Sequence, residues 1–510
     1  MRVDVRVVAY AVVLAGGYLL LPTVGTDLAA QVARADFIRD AGFAPVDLRW
    51  YGGTVQYGYS IVAPAVMALL GVRVTGALAL VVSTVAFAVL LRRTGAIRPR
   101  LGMALGGLCF AGNLVSGRTT FALGVAFGLL GLLALTAPWR VGWRWGCAAT
   151  AVVLAATTSP VAGLFAGLAG VALAAGCWRD AARRWDGVVL AGSAAVGLVP
   201  TTLLSDVDGW MNLAATDTVR ACVTGLLVAA LVPRRPVRVG GLLAAAGVLA
   251  AFLVHTPVGL NATRLATMFA VPVLAAYVPL PRPGLGSRFA GAAGLAVVAV
   301  WQPPLIVADL RDAGNPTADR AYFAPLLAEL RSRRPVGRVE IPPTRDYWEA
   351  AYAARDVHLA RGWLRQADLA RNPLFFTGAL SASDYEAWLR EQGVSYVALP
   401  TIDAADFSWV GRREAALVRG GLPYLTEVWR GDDWTLYEVD GRPSIVDGGT
   451  LVATDAGSVT VDVPAGSTVV KIRYSGWLRV DDARNARLEP GPAGWTRLVA
   501  TVPGRYRIDS

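Results

Sequence analysis

The chain has 510 residues and a mean hydropathy of +0.48, with 55% hydrophobic and 17% charged residues. Soluble globular chains carry about 25% charged residues, so a wholly soluble protein is excluded. The formal net charge is +11, but the basic residues of the first 308 positions cluster in short loops between apolar runs. That is the positive-inside pattern of a membrane protein and not a nucleic-acid footprint.

Runs of roughly 20 apolar residues cross a bilayer. Taken in chain order, spans are predicted near 5–24, 74–91, 101–115, 119–137, 143–157, 160–177, 186–204, 219–232, 239–255, 265–280 and 289–307, about eleven in all. The first run reaches Val24, a full span with no small-x-small cleavage site after it, and reads as an uncleaved helix. With Arg2 and Arg6 in the cytoplasm, the cytoplasmic loops hold Arg92, Arg93, Arg98 and Arg100; Arg140 and Arg144; Arg179, Arg183 and Arg184; Arg234, Arg235 and Arg238; and Arg282 and Arg288. The loop with Asp206, Asp208 and Asp217 then falls outside. The expected location is a bacterial plasma membrane, N-terminus cytoplasmic and C-terminal domain external.

The first external loop, 26–58, places Leu28, Val32 and Ala35 at helical spacing and predicts a short amphipathic helix at the interface. Tyr59 to Val72 is apolar but short, and reads as a half-inserted segment. Beyond Pro303-Pro304 the composition changes. Residues 309–440 mix helical patterns with short strands, an external α/β domain, and residues 441–510 alternate with period two between Gly-rich turns, a small β-sandwich. The expected fold is mainly α: a polytopic transmembrane bundle, residues 1–308, followed by these two external layers.

Several chemistries are missing. Lys471 is the one lysine and lies outside any Gly-rich loop, so a P-loop is excluded. His255 and His358 form no HExxH pair, and there is no GxSxG. Cys109, Cys147, Cys177 and Cys222 form no CxxC pair, so neither a zinc site nor a disulfide framework is expected. The spans hold essentially no interior acid, which disfavours ion-coupled transport. The chemistry left is that of external carboxylates and arginines; no cofactor is expected, and a divalent metal is possible but unsupported.

Asp27 stands in Gly25-Thr26-Asp27-Leu28, where the first span leaves the membrane. It fits a helix N-cap and equally a general base at the lipid–water boundary. Asp36, Asp40 and Asp47 in the same loop read as solvated helix-face or turn residues. Arg118, Arg220 and Arg264 sit at the outer ends of spans, against the loop asymmetry. Arginine suits phosphate oxygens, or snorkels to headgroups; for Arg220 a local pair with Asp217 is the simpler reading. Trp50-Tyr51-Gly52-Gly53 through Tyr57-Gly58-Tyr59 suits an interfacial aromatic belt or a sugar-stacking surface.

Span count, an Asp at the first exit, a long first external loop and an exported C-terminal domain together resemble the GT-C superfamily of polytopic glycosyltransferases, the YfhO-like bacterial branch above all. Asp27-Leu28-Ala29-Ala30-Gln31 is similar to that branch's Asp-Leu-x-x-Gln stretch, and Arg361-Gly362-Trp363, Asn372-Pro373-Leu374-Phe375-Phe376 and Gly393-Val394-Ser395-Tyr396-Val397 are similar to segments of membrane proteins from high-GC bacteria. The resemblance implies sugar transfer from a polyprenyl-phosphate donor to an envelope glycan or lipid acceptor, with inversion. Asp27 would be the catalytic base; Arg118, Arg264 and Arg220 would hold the donor phosphate; Gln31, Trp50, Tyr51 and Tyr57 would contact substrate. Trp363, Trp388, Trp429 and Trp434 are further candidate sugar contacts. The turn Ser116-Gly117-Arg118 carries no second acid of the kind several members place in a later external loop. A non-catalytic relative that binds envelope glycans or lipids, and a lipid or solute transporter, are the alternatives.

Overall fold

The computed structural model describes residues 4–205, 209–278, 286–302, 309–310 and 313–510. Arg2, Asp206, Asp208, Arg282 and Pro303-Pro304 lie outside the described residues. The chain divides into two compact units. One comprises residues 1–25, 57–205 and 210–312; the other comprises 26–56, 206–209 and 313–510.

The helices of the first unit are α1 (Val5–Leu20), α3 (Ala63–Leu70), α4 (Val72–Arg93), α5 (Pro99–Val115), α6 (Thr119–Leu135), α7 (Val141–Thr158), α8 (Pro160–Gly176), α9 (Ala181–Leu203), α10 (Ala215–Leu231), α11 (Arg235–Leu253), α12 (Arg264–Tyr277) and α13 (Gly286–Trp301), with α2 (Leu28–Ala41) belonging to the second unit. Setting aside the short α3, the first unit has eleven apolar helices among the described residues, matching the predicted spans. By length and apolarity alone, α4, α9, α11 and the continuous run Gly259–Tyr277 suffice to cross a bilayer, and α1, α6 and α8 are shorter apolar helices. The chain is a multi-pass membrane protein.

Sequence explains where these helices start and how closely they approach. Asp4 caps α1 by accepting from the Arg6 amide at 3.1 Å, and proline opens α5, α8 and α11, where its missing N–H costs nothing. Glycines let neighbours touch: a Cβ on Gly170 would lie 2.6 Å from the Ala191 nitrogen, and one on Gly187 2.5 Å from the Ala174 nitrogen. Small residues at contacts drive helix association where lipid offers no hydrophobic contrast. Phe87, Phe110 and Phe269 pack edge to face at 5.7–6.0 Å in the bundle core. The buried acid of α9, Asp186, is paired with Arg144 at 3.0 Å.

The second unit has two parts. A five-stranded sheet contains β3 (Arg338–Glu340), β4 (His358–Leu359), β5 (Val394–Pro400), β6 (Leu425–Arg430) and β7 (Trp434–Val439) in the order β4-β3-β5-β7-β6, parallel for the first three and antiparallel for the rest. Strand β5 is buried along its whole length, which is why it reads as a continuous apolar run. Residues 446–509 form two antiparallel four-stranded sheets around Val459, Val461, Val470, Ile472, Leu498 and Ile508. The expected α/β layer and β-sandwich are both present.

Two features of the first external loop depart from expectation. It clusters with 313–510, because its hairpin, β1 (Val46–Asp47) with β2 (Thr54–Val55), contributes Val46, Leu48 and Val55 to the sandwich core. Helix α2 is not an interfacial amphipathic helix: Leu28 through Gln31 and Ala33 through Phe37 are all buried. The reason lies within its own unit, where Arg49 donates to the Ala33 carbonyl at 2.8 Å and stacks over Phe37, and Arg355 pairs with Asp40 at 2.8 Å. Asp47, expected in a solvated turn, is fully buried and paired with Arg49 at 2.7 Å.

Candidate functional site

In the membrane unit, the last residue before the first loop is pressed against a second exit point. Gly25, at φ +105°, has no room for a side chain: a Cβ would lie 2.4 Å from the Val115 carbonyl oxygen and 2.6 Å from the Gly117 nitrogen. Glycine is required there both by the left-handed backbone and by the contact. Gly117, also at positive φ, turns the chain from α5 into α6. Between them Ser116, buried, donates its hydroxyl to the Asp309 carboxylate at 2.5 Å. An acid therefore does face the turn that shows none in the local sequence. Asp309 escapes a linear reading because it follows Pro303-Pro304, where the composition places it in the external domain.

Arg118 and Arg264 come together at this end of the bundle. Arg118 is the residue before α6, and its carbonyl accepts from the Asn113 side chain at 3.3 Å. Arg264 opens α12 and stacks over Phe121, 5.2 Å from the ring centroid; Phe121 lies three residues after Arg118, one helical turn along. Both arginines are half-buried. A cation at a helix N-terminus opposes the helix dipole at a cost of about 0.3–1 kcal/mol, so the placement of Arg118 before α6 favours a role with anions; Arg264 continues the helical run from Gly259. Arg220 is exposed on α10, and among the described residues no ion pair joins it to Asp217. Tyr57 belongs to this unit and is half-buried.

In the second unit Asp27 directly precedes α2 with helical backbone angles, and its side chain makes no capping hydrogen bond. Gln31, fully buried, donates to the Asp27 carbonyl at 3.4 Å. Trp50 and Tyr51 are interior residues: the Trp50 indole donates to the Ala350 carbonyl at 3.0 Å, and the Tyr51 hydroxyl to the carbonyls of Gly362 at 2.5 Å and Leu364 at 3.1 Å. Trp388 and Trp434 are likewise buried and hydrogen-bonded, to Asn372 and the Tyr322 carbonyl. Trp429 is half-buried.

Segment 361–364 grips this loop at both ends. The half-buried Trp363 donates its indole N–H to the Thr26 carbonyl at 2.9 Å, beside Asp27. Gly362 lies flat against Trp50, and a Cβ there would meet the ring at 2.5 Å. Tyr51, at the unusual φ of +55° for a non-glycine residue, is tied down by its two hydroxyl contacts; such a backbone costs on the order of 1 kcal/mol and persists only when its surroundings over-determine it. Arg371 adds a hydrogen bond to the Gly53 carbonyl at 2.9 Å.

Beneath the segment is a buried charge cluster. Arg361 bonds Glu340 at 2.7 and 2.9 Å, also contacts Glu414, lies 3.7 Å from Asp368, and stacks over Phe375. Tyr385 donates to Glu414 at 2.8 Å and Asn372 to Asp368 at 2.8 Å. Burial pushes the carboxyls of Glu340 and Glu414 up, and that of Asp368 up to about 6, against the opposing pull of Arg361. Burial works against the Arg361 charge too, but Glu340, Glu414 and Asp368 outweigh it and hold the guanidinium firmly protonated. One guanidinium facing three buried acids requires that the cluster retain protons.

The fold that these two units define is the GT-C fold of polytopic membrane glycosyltransferases. The mycobacterial arabinofuranosyltransferase AftD, in its R1389S mutant class 2 structure, aligns with a TM-score of 0.50 at 13% identity, over 99% of this chain and 59% of that one. A second AftD structure gives 0.47 at 17% identity, over 91% and 41%. ArnT from Cupriavidus metallidurans, bound to undecaprenyl phosphate, gives 0.47 at 16% identity, over 85% and 97%. The chain thus spans about half the length of the AftD chains it matches. No protein-family model matches the sequence, and no curated protein does.

Proposed function

We propose that the protein is a membrane glycosyltransferase that moves a sugar from a polyprenyl-phosphate donor to an envelope glycan or lipid acceptor at the outer membrane face. The observation that carries this reading is the placement of Arg118 just before α6 and of Arg264 over Phe121, one turn along the same helix, where two guanidinium forks suit one anion. The GT-C fold supports it, and so does AftD, whose activity as an arabinofuranosyltransferase illustrates the chemistry this fold hosts.

In this reading Asp27 takes the proton of an acceptor hydroxyl as that oxygen attacks the anomeric carbon. The bond from the anomeric carbon to the phosphate oxygen breaks, and the electron pair leaves with the phosphate. Attack opposite the leaving group inverts the anomeric centre. The growing phosphate charge falls to Arg118 and Arg264, with fixed positive groups stabilising the transition state more than the ground state. Arg220 and Tyr57 are assigned peripheral contacts to donor and acceptor, and Gln31 holds the Asp27 backbone. Trp50 and Tyr51 act from the interior, by shaping the loop. No metal ligand set is assigned; among the described residues no group of three or more His, Cys, Asp or Glu side chains could hold an ion.

The test is sugar transfer by the full-length protein in lipid nanodiscs, using a panel of undecaprenyl-phosphate sugars. Transfer by the parent that is lost in Arg264→Lys, which keeps charge without the fork, supports the assignment. A parent inactive across the panel that still binds envelope glycans would favour the non-catalytic reading.

A further inference from the structure

We infer that segment 361–364 is a positioning clamp for the first external loop, and that Trp363 is the positioning residue for Asp27. The inference rests on the reading of Asp27 as the base. The chain passes from the membrane unit to the external unit between Gly25 and Thr26. Thr26 is therefore the first residue whose placement the external unit controls, and its carbonyl is the atom that Trp363 holds at 2.9 Å. The same four residues hold the far side of the loop through Gly362 against Trp50 and the Gly362 and Leu364 carbonyls on Tyr51. A loop gripped at one end can still swing; one gripped at both ends by a single short segment has its intervening helix, α2, fixed in register.

The segment itself is immobilised from below. Arg361 is anchored by Glu340 of β3, by Glu414 of the helix Trp409–Arg419 and by Asp368 of the helix Arg365–Arg371, with Phe375 against its face. Three separate elements thus converge on the residue two positions before Trp363. A buried ion-paired network of this kind, in which Arg361 Nη1 lies 3.7 Å from Asp368 without a hydrogen bond, contributes little net stability but restricts the arrangements its members can take. A base must sit within hydrogen-bond reach of its proton, and a displacement of about 1 Å can cost roughly 100-fold in rate. The clamp supplies that precision to a residue located on a loop.

The experiment compares Trp363→Phe, which keeps an aromatic side chain and removes the indole N–H, with the parent and with Asp27→Asn, all full length in nanodiscs. Hydrogen exchange of the peptide covering 26–31 should accelerate in Trp363→Phe while the thermal midpoint is unchanged. Turnover on the undecaprenyl-phosphate sugar panel should fall about 10- to 100-fold, with KM for the donor and the affinity for undecaprenyl phosphate itself held within twofold. The double variant Trp363→Phe/Asp27→Asn should be no slower than Asp27→Asn alone. Unchanged exchange at 26–31 overturns the clamp, as does faster exchange accompanied by parental turnover. If Asp27→Asn turns over like the parent, the base assignment fails instead, and the exchange result still decides whether the clamp exists.

Discussion

Ser116 donates a hydrogen bond from its hydroxyl to the Asp309 carboxylate across 193 residues of sequence, at 2.5 Å, in the turn against which Gly25 is packed. This pairing brings a second acid to the end of the bundle that holds Arg118 and Arg264. Asp309→Asn keeps an acceptor for Ser116 and should leave expression unchanged. If Asp309 assists transfer by orienting the acceptor, turnover falls by about 10²-fold, the lower range for a positioned acid–base group. Ser116→Ala should have a smaller effect. Parental turnover in Asp309→Asn would assign the pair a structural role only.

Asp27 makes no capping bond to α2, so removing its carboxyl should not incur the roughly 1 kcal/mol that an N-cap contributes. Asp27→Ala is therefore expected to unfold at the same temperature as Asp27→Asn, while both lose about 10²–10⁴-fold in transfer. A thermal shift confined to Asp27→Ala would restore the capping explanation.

The second unit should not fold well without residues 26–56. Val46, Leu48 and Val55 lie in the sandwich core and Trp50 against Gly362, so a 313–510 fragment exposes the surfaces they cover. Buried aliphatic side chains contribute roughly 1.5–3 kcal/mol each, comparable in sum with the stability of a whole domain. The fragment alone should melt broadly, and a version carrying 26–56 on a flexible linker should melt cooperatively. Equal melting of both would contradict the shared core.

Burial pushes the Glu349 carboxyl up to about 8, against the Thr344 hydroxyl hydrogen bond, and Asp368 up to about 6. Both bind a proton more tightly folded than unfolded, so their contribution is complete at low pH and is lost as pH rises through the folded values. His358, lowered to about 4 by burial, acts in the opposite direction between about 4 and 6.5. Above pH 6.5 Glu349 still loses its proton, alongside the raised carboxyls of Glu340 and Glu414, and stability should decline from pH 6.5 to 8. Glu349→Gln should flatten that decline in a pH series of thermal midpoints; an unchanged slope would place the buried proton elsewhere.

The loop arginines predict an outward-facing second unit, which is testable in intact cells. Ser332 and Ser467 are exposed in the external unit. Single cysteines at these positions, in a Cys147→Ala background because Cys147 is itself exposed, should react with a membrane-impermeant maleimide before lysis. Reaction only after lysis would invert the topology.

The sequence by itself determined the eleven apolar helices, their loop charges, the α/β layer and the sandwich. Each of these follows from a local rule: a bilayer demands unbroken apolar helices, and a half-buried strand demands alternation. It also marked Asp27, Arg118 and Arg264 by their positions at span ends. Tertiary structure alone decided that 26–56 belongs with the external unit, that α2, Trp50 and Tyr51 are interior, that Asp309 faces Ser116, and that 361–364 grips the loop. All four are contacts between segments tens to hundreds of residues apart. Arg34, Asp36, Asp47 and Arg49 look like surface residues in a linear reading because charge normally signals solvent. Asp36 and Asp47 pair locally, with Arg39 and Arg49, but the burial of all four comes with the tertiary fold, and periodicity carries no record of it.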